Sequence, residues 1–572
     1  MENFFKDNDD ILFHIKNLDL NKIIELKEPG FEEKDKFAYA PKDVEDMRDS
    51  YEKVLDMLGE LSGDFIAPRA HEVDEEGAHF ENGEVRYAKG TQEALEMLAK
   101  ADVLGFTLPR RYGGLNFPIT IYAIATEIVS RADASLMNLF GLQDIADTIN
   151  KFASEDIKQR FLPRFCSGEV TGSMALTEPE AGSDLQAVSL RAHQDENGQW
   201  YLNGVKRFIT NGNGHISLVL ARSEETLKGG RGLSVFVYER DEHMKIRRIE
   251  NKLGIHGSPT CEMQFTNAPC ELVGERKRGL SKYTMSLMNG ARVATAAQAL
   301  GIAEAAYREA KKYANERVQF GKAIREMIPV YEMLCNMKVA IEAGRTLLYE
   351  TGRMVDFKEG YEHLAERHPE KENEIKNDVK KYNKLAALFT PICKAYNTEM
   401  GNKVTYDAIQ IHGGTGYMKE FNVERHYRDA RITNIYEGTT QLQIVAAIGG
   451  VMSGVAMDVI NEYDAQDYSY RNDIYQKIHK AKGFLEETIE FAKNSENHDF
   501  VDYHSRRLVE MATYVIQGYL LLRDAKHSER KKNIAETFVD TMFSIVEAHM
   551  VRIIHGETSV LRNHVNIIEE NN

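Results

Sequence analysis

Apolar residues recur at three- and four-residue spacing along most of this chain, and one long segment abandons that rhythm. Between positions 44 and 61, Leu55, Leu58 and Leu61 fall on one face of a helix. The same spacing runs through 282–313 and 333–355, and again through 508–522 and 534–554. From about 174 to 273 the chain is instead rich in Gly, Asn, Thr and β-branched residues, with short apolar runs at 217–221, 233–238 and 261–265 that predict strands. Turn signals at Asn203-Gly204, Asn211-Gly212, Gly229-Gly230 and Asp241-Glu242 suggest an antiparallel meander or small barrel. The predicted fold is therefore mostly α with a central β-domain. Its parts are an N-terminal extension (1–42), a helical domain (43–172), the β-domain (173–280), a helical bundle (281–450) and an additional helical domain (451–572). A stretch dense in Glu, Lys and Asp at 356–381 reads as an insertion, either a solvated helical extension or a loop.

Composition narrows the function classes. At 572 residues the chain exceeds one ordinary core, since domains average roughly 150 residues. Apolar runs such as 444–448 fall far short of the roughly 20 residues a membrane span needs. The first ten residues are acidic and lack the basic and apolar regions of a secretory leader, so the expected location is cytoplasmic. Net charge is 72 − 89 = −17, which disfavours a phosphate backbone as partner. Residues 451–572 carry 14 basic and 20 acidic side chains, −6, so no basic membrane-facing helix is visible there. Five cysteines without CxxC spacing argue against a disulfide framework and a structural zinc site, and no metal is expected.

Two constellations carry chemistry. In the first, 174–184 (MALTEPEAGSD), the hydroxyls of Thr177 and Ser183 and the backbone around Gly182 can donate to carbonyl and phosphate oxygens. A turn entering the β-domain accounts equally for Pro179, Gly182 and Asp184. The second is 410–417 (QIHGGTGY), followed by 423–431 (VERHYRDAR) and 435–441 (IYEGTTQ). Clustered glycines inside a helical region imply backbone meeting a ligand. Glu437 sits between Tyr436 and Gly438, a setting in which partial desolvation makes a carboxylate a better base. Arg425, Arg428, Asp429 and Arg431 read as an ion-pair network holding this loop.

Both stretches, in this order, resemble the two signature segments of the acyl-CoA dehydrogenase family, and the resemblance extends over about 43–448. It implies FAD as cofactor and Glu437 as the base that takes the α-proton of an acyl-CoA thioester as the flavin accepts the β-hydride. The amide of Glu437 would also polarise the thioester carbonyl. Thr177, Gly182 and Ser183 match flavin-contacting positions, and 208–210 (FIT) stands where the family has Trp-Ile-Thr, giving Phe208 and Thr210 that role with the aromatic face kept. Arg317, Gln319 and Phe320 match residues that hold the dinucleotide across a subunit boundary, with Gln410, Gly413 and Gly414 on the partner side; Thr439 and Gln441 match flavin contacts after the base. A homo-oligomer follows, with a dimer favoured over a tetramer because appended helices can cover the tetramer surface. Arg292 matches a residue near the CoA moiety, and Ala291 before it leaves Glu437 without a rival. Electrons in this family usually pass to an electron-transferring flavoprotein.

The helix that lines the acyl pocket in the family corresponds to about 134–144. There Leu136, Met137 and Phe140, with Gly438, suggest an apolar substrate-binding floor; alternatively the three apolar residues pack the helical core. That stretch holds no arginine for a second carboxylate. An acyl-CoA oxidase would share base and flavin, a desulfinase-like relative would lack the base, and a flavin-bearing DNA-binding protein on the same fold would want a basic C-terminal patch.

Overall fold

The computed structural model describes residues 2–495, 498–556 and 558–569. Ahead of the β-domain the helices that bear on the site are α1 (Asp9–Asn17), α2 (Val44–Glu60), α3 (Ile119–Ala132) and α4 (Ala134–Gly141). α2 follows the predicted pattern. Asp43 caps it by accepting from the Asp46 amide, and Met47, Tyr51, Leu55 and Leu58 form its buried stripe.

The strand-rich segment forms β1 (Gly172–Ala175), β2 (Arg191–Gln194), β3 (Trp200–Thr210), β4 (Ile216–Arg222), β5 (Leu233–Glu239), β6 (Met244–Ile249) and β7 (Thr260–Val273). β4 pairs with β5, β5 with β7, β7 with β3 and β3 with β2, and Arg191 of β2 meets Arg222 of β4 to close a barrel. The sheet is mixed rather than purely antiparallel, because β1 runs parallel to β4. Alternate residues of β4 face two cores: Ile216, Leu218 and Leu220 join Phe161 and Phe165 of the preceding helices, while Val219 and Ala221 join Phe236 and Tyr238. A strand buried on both faces needs a continuous apolar run, and β4 has one. Asn203-Gly204 does not turn the chain as expected. It lies inside β3 at a register shift, where the backbone bends past Leu190 and a Cβ on residue 204 would sit 3.0 Å from the Leu190 side chain.

Beyond the barrel come α5 (Met285–Glu316), α6 (Ile328–Arg367), α7 (Glu372–His412), α8 (Val423–Thr433) and α9 (Thr440–Met452). The buried face of α5 is mostly alanine, so neighbouring helices approach closely; a Cβ at Gly301 would stand 2.5 Å from the Glu127 carbonyl oxygen of α3. The stretch 356–381 takes the helical form of the two expected. It is the tip of the α6–α7 hairpin, and its first residue is buried: Asp356 accepts from the Ile119 and Thr120 amides at 2.6 and 2.9 Å and so caps α3.

The appended helices beyond α9 include α10 (His498–Ala525) and α11 (Glu529–Ile554). Their apolar faces share one core with the central helices and with the N-terminal segment. A buried ion network stitches the three together. Arg345 of α6 meets Asp10 of α1, Glu127 and Glu304 at 2.6, 2.6 and 3.0 Å, and Lys531 of α11 reaches Asp10 and, at 2.9 Å, Glu342. Among the described residues no single helix is long and apolar enough to cross a membrane.

Candidate active site

The loop between α8 and α9 carries Tyr436, Glu437 and Gly438. Glu437 has φ +56° and Gly438 φ +89°. A left-handed conformation costs a residue with a side chain on the order of 1–2 kcal/mol, so surrounding contacts must hold this bend. Above it, the Tyr436 hydroxyl faces Asn138 Oδ1 at 3.1 Å and Gln298 Oε1, and Gln298 Nε2 donates to Asn138 Oδ1 and to the Ala134 carbonyl, both at 2.9 Å. Beneath it, Gln443 Nε2 donates to the carbonyls of Glu437 and Gly438 at 3.2 and 2.9 Å, Arg292 Nε reaches the Glu437 carbonyl at 3.4 Å, and Lys394 Nζ donates to the Gly438 carbonyl at 2.6 Å. Both carbonyls are thus taken up by side chains, while among the described residues the Glu437 amide has no acceptor.

The electrostatics suit a base. Desolvation raises the pKa of the half-buried Glu437 carboxyl, while Lys394 and Arg292 pull it back. Burial lowers Lys394 to about 7 against the attraction of Glu437, and lowers Arg292 likewise. Arg292 is 7% exposed and also donates to Asn289 of its own helix at 3.0 Å.

On the barrel, the turn after β1 is fixed by Glu178, whose carboxylate accepts from Lys206 at 2.9 Å and from the Ser189 and Leu190 amides at 2.8 and 2.9 Å. This sets Thr177 beside the end of β3, where its carbonyl accepts from the Arg207 amide at 3.0 Å. Gly182 and Ser183 lie exposed on the same turn. Phe208 is 52% exposed at φ +60°, and Thr210 pairs with Thr260. A hydrogen-bonded path joins this edge to the base loop: Ser258, two residues before Thr260, accepts from Asn138 at 3.1 Å, and Asn138 meets Tyr436. The expected ion-pair network contributes in part. Arg428 bridges Glu424 and Asp74 at 2.6 and 2.5 Å, and Asp429 accepts from the Ile255 amide at 2.6 Å, tying α8 to the barrel's 251–258 loop. Arg431 faces outward and, among the described residues, meets only its neighbour Asn434.

The glycine-rich turn ends α7. Gln410, Gly413 and Gly414 are exposed, and Cβ atoms on the two glycines would meet nothing within 4 Å. His412 stacks on Tyr313 at 4.3 Å, and Tyr313 accepts from Thr415, so the turn sits against the end of α5, from which Arg317, Gln319 and Phe320 project on a short hairpin. Phe320 is 94% exposed. Thr439 caps α9 by accepting from the Leu442 amide, and Gln441 is exposed on its first turn. Leu136, Met137 and Phe140 are buried in the helical core, with Phe140 stacked on Tyr122 at 5.7 Å; Tyr122 in turn lines a cavity of about 190 Å³ with Asn289, Val293 and Thr390. Sequence reasoning missed Lys394, Gln298, Asn138 and Gln443. The one signal available was a lysine inside the otherwise apolar run 385–395.

Four family descriptions match the chain: the acyl-CoA dehydrogenase N-terminal domain at 48–169, the middle domain at 173–268, the C-terminal domain at 278–448, and a further acyl-CoA dehydrogenase C-terminal module at 452–554. The 3-methylmercaptopropionyl-CoA dehydrogenase of Ruegeria pomeroyi is 34% identical over 72% of this chain and 71% of its own length. Butyryl-CoA dehydrogenase from Megasphaera elsdenii superposes with a TM-score of 0.60 at 31% identity, covering 71% of this chain and 97% of that one. An acyl-CoA dehydrogenase of Bacillus anthracis, solved with FAD, covers 91% of this chain and 90% of its own at a TM-score of 0.75 and 23% identity, so the fold likeness extends through the appended helices.

Proposed function

The chain belongs to the acyl-CoA dehydrogenase family, as an FAD-dependent acyl-CoA dehydrogenase, and on that premise we propose that Glu437 is the base that removes the α-proton of its acyl-CoA substrate. The observation that carries this reading is the Glu437 carboxylate, half-buried at positive φ above two buried cations and tied through Tyr436, Asn138 and Ser258 to the strands bearing Phe208 and Thr210. A desolvated carboxylate is a stronger base, and the cations beneath the loop oppose part of that rise. Among the described residues the Glu437 amide has no acceptor, and it is the donor for the thioester oxygen, where enolate charge develops.

The residues fit FAD: open backbone at Gly182, Gly413 and Gly414, exposed rings at Phe208 and Phe320, and hydroxyls at Thr177 and Ser183. Thr177, Gly182, Ser183, Phe208, Thr210, Thr439 and Gln441 would hold its flavin end; Arg317, Gln319 and Phe320 of one subunit, with Gln410, Gly413 and Gly414 of the other, would hold its dinucleotide. When bound, FAD supplies the acceptor for the β-hydride. A ring as exposed as Phe320 is supported as an intersubunit contact by the exposed Tyr417 and Met418 on the neighbouring glycine-rich turn, and we favour a homodimer. The electron acceptor is an electron-transferring flavoprotein and the site of action cytoplasmic. We propose an apolar acyl group: Phe140, packed with Leu136 and Met137 in the helical core, stacks on Tyr122, which lines the cavity.

Anaerobic titration of the purified protein with straight, branched and ring-bearing acyl-CoAs tests this reading. Bleaching of the flavin absorbance with at least one is expected, with a rate that rises with pH as Glu437 ionises. No bleaching with any thioester would overturn it.

A further inference from the structure

We propose that Lys394 is a positioning residue for the reaction: through the Gly438 carbonyl it holds the base loop in its left-handed bend, and its charge controls the ionisation of Glu437. This rests on Glu437 being the base.

Lys394 lies on α7 and is wholly buried. A lysine in such a place needs a compensating contact, because an unpaired buried ammonium is costly. Among the described residues its single hydrogen bond is the 2.6 Å contact to the Gly438 oxygen. Among the described residues no acid lies within ion-pair distance of it. The charged groups acting on it are Glu437 from the loop, Arg292 from α5 and Glu399 from its own helix, and Glu399 is already engaged by Thr440 at 2.6 Å and Asn434 at 3.4 Å. Lys394 is therefore directed at the catalytic loop alone, unlike Lys206, whose ammonium meets a carboxylate at 2.9 Å.

Two consequences follow. The Gly438 carbonyl is pulled toward α7, which with Gln443 and Arg292 offsets the strain of two successive left-handed residues. The ammonium also favours carboxylate over carboxylic acid at Glu437, and burial brings Lys394 itself to about 7, so its charge changes within the working pH range. Once Glu437 takes up the substrate's α-proton it becomes neutral, and Lys394 loses the anion that keeps it protonated. The two groups titrate as a pair.

Lys394→Met removes both bond and charge, and Lys394→Gln keeps a donor without the charge. Two readouts separate positioning from mere packing: the limiting rate of anaerobic flavin reduction by acyl-CoA, and the pH midpoint of the oxidised flavin's visible spectrum as the adjacent carboxyl titrates, a transition that Glu437→Gln should abolish. FAD content is expected to match the wild type in both variants. The Met variant should reduce at least tenfold more slowly and the Gln variant fall between. In both, the midpoint should move up by about one pH unit, since loss of a nearby cation favours the protonated carboxyl. An unmoved midpoint, with or without a slower rate, would make Lys394 a structural lysine only and overturn the proposal. Should the Met variant fail to fold, the Gln variant carries the same midpoint prediction. Wild-type protein that no thioester bleaches would instead overturn the reading of Glu437, a distinct result.

Discussion

At the scale of single residues, the site depends on a conformation that side chains normally avoid. Phe208, Phe320 and Glu437 all have φ between +50° and +60°, and each is a residue the family resemblance assigns to cofactor or catalysis. Strain of this kind persists only where surrounding contacts over-determine it. For Glu437 the upper anchor is the Tyr436 hydroxyl. Tyr436→Phe leaves Gln298 Oε1 buried without its partner, so the fold should lose about 1–3 kcal/mol in denaturant unfolding, and flavin reduction should slow while FAD content is kept. Unfolding and reduction both indistinguishable from the wild type would show that the loop does not need this anchor.

At the scale of elements, long helices are brought close enough to deliver Arg292 and Lys394 to one loop. α5 achieves this with small residues, and Gly301 is the tightest point against α3, with the Glu127 carbonyl and the Arg131 amide 2.5 and 2.8 Å from an added Cβ. Gly301→Val must push backbone from backbone, which typically costs about 1–3 kcal/mol; a melting temperature equal to the wild type's would contradict this packing. Much at this scale was legible beforehand. The period of Leu55 and Leu58 marked α2, and the β-branched runs marked β4, β5 and β7. What was not legible depends on tertiary partners. Asn203-Gly204 has the composition of a turn, and only the pairing of β3 with β7 makes it a bulge. The charged 356–381 stretch looks solvated, yet Asp356 is buried because α3 needs a cap. Glu437 could be named from its neighbours Tyr436 and Gly438, whereas Asn138, Gln298 and Lys394 come from three distant helices, and no local pattern ties them to it.

At the scale of the whole molecule, the N-terminal segment, the central helices and the appended helices are joined by buried ion pairs, and these make stability depend on pH. Glu350 of α6 is pushed up by burial but drawn down further by Arg353 and Arg523, at 2.8 and 3.0 Å, to about 2. A folded-state pKa below the unfolded value of about 4.3 gives stability that is complete above that pH and lost as pH falls toward 2. The contribution is on the order of 3 kcal/mol. Glu350→Gln should therefore flatten the acid flank of a stability profile measured by urea unfolding between neutral pH and pH 3; an unchanged flank would contradict the assignment. Arg523 lies on α10, so the same profile reports how firmly the appended helices are docked.

On the proposed reading the Glu437 carboxylate, held over Lys394 and Arg292, takes the substrate's α-proton. Anaerobic stopped-flow reduction of Glu437→Gln by an acyl-CoA that bleaches the wild type tests it most directly. Full FAD content and retained thioester binding are predicted, with a limiting reduction rate lower by roughly a thousandfold. Reduction at a rate near that of the wild type would contradict it.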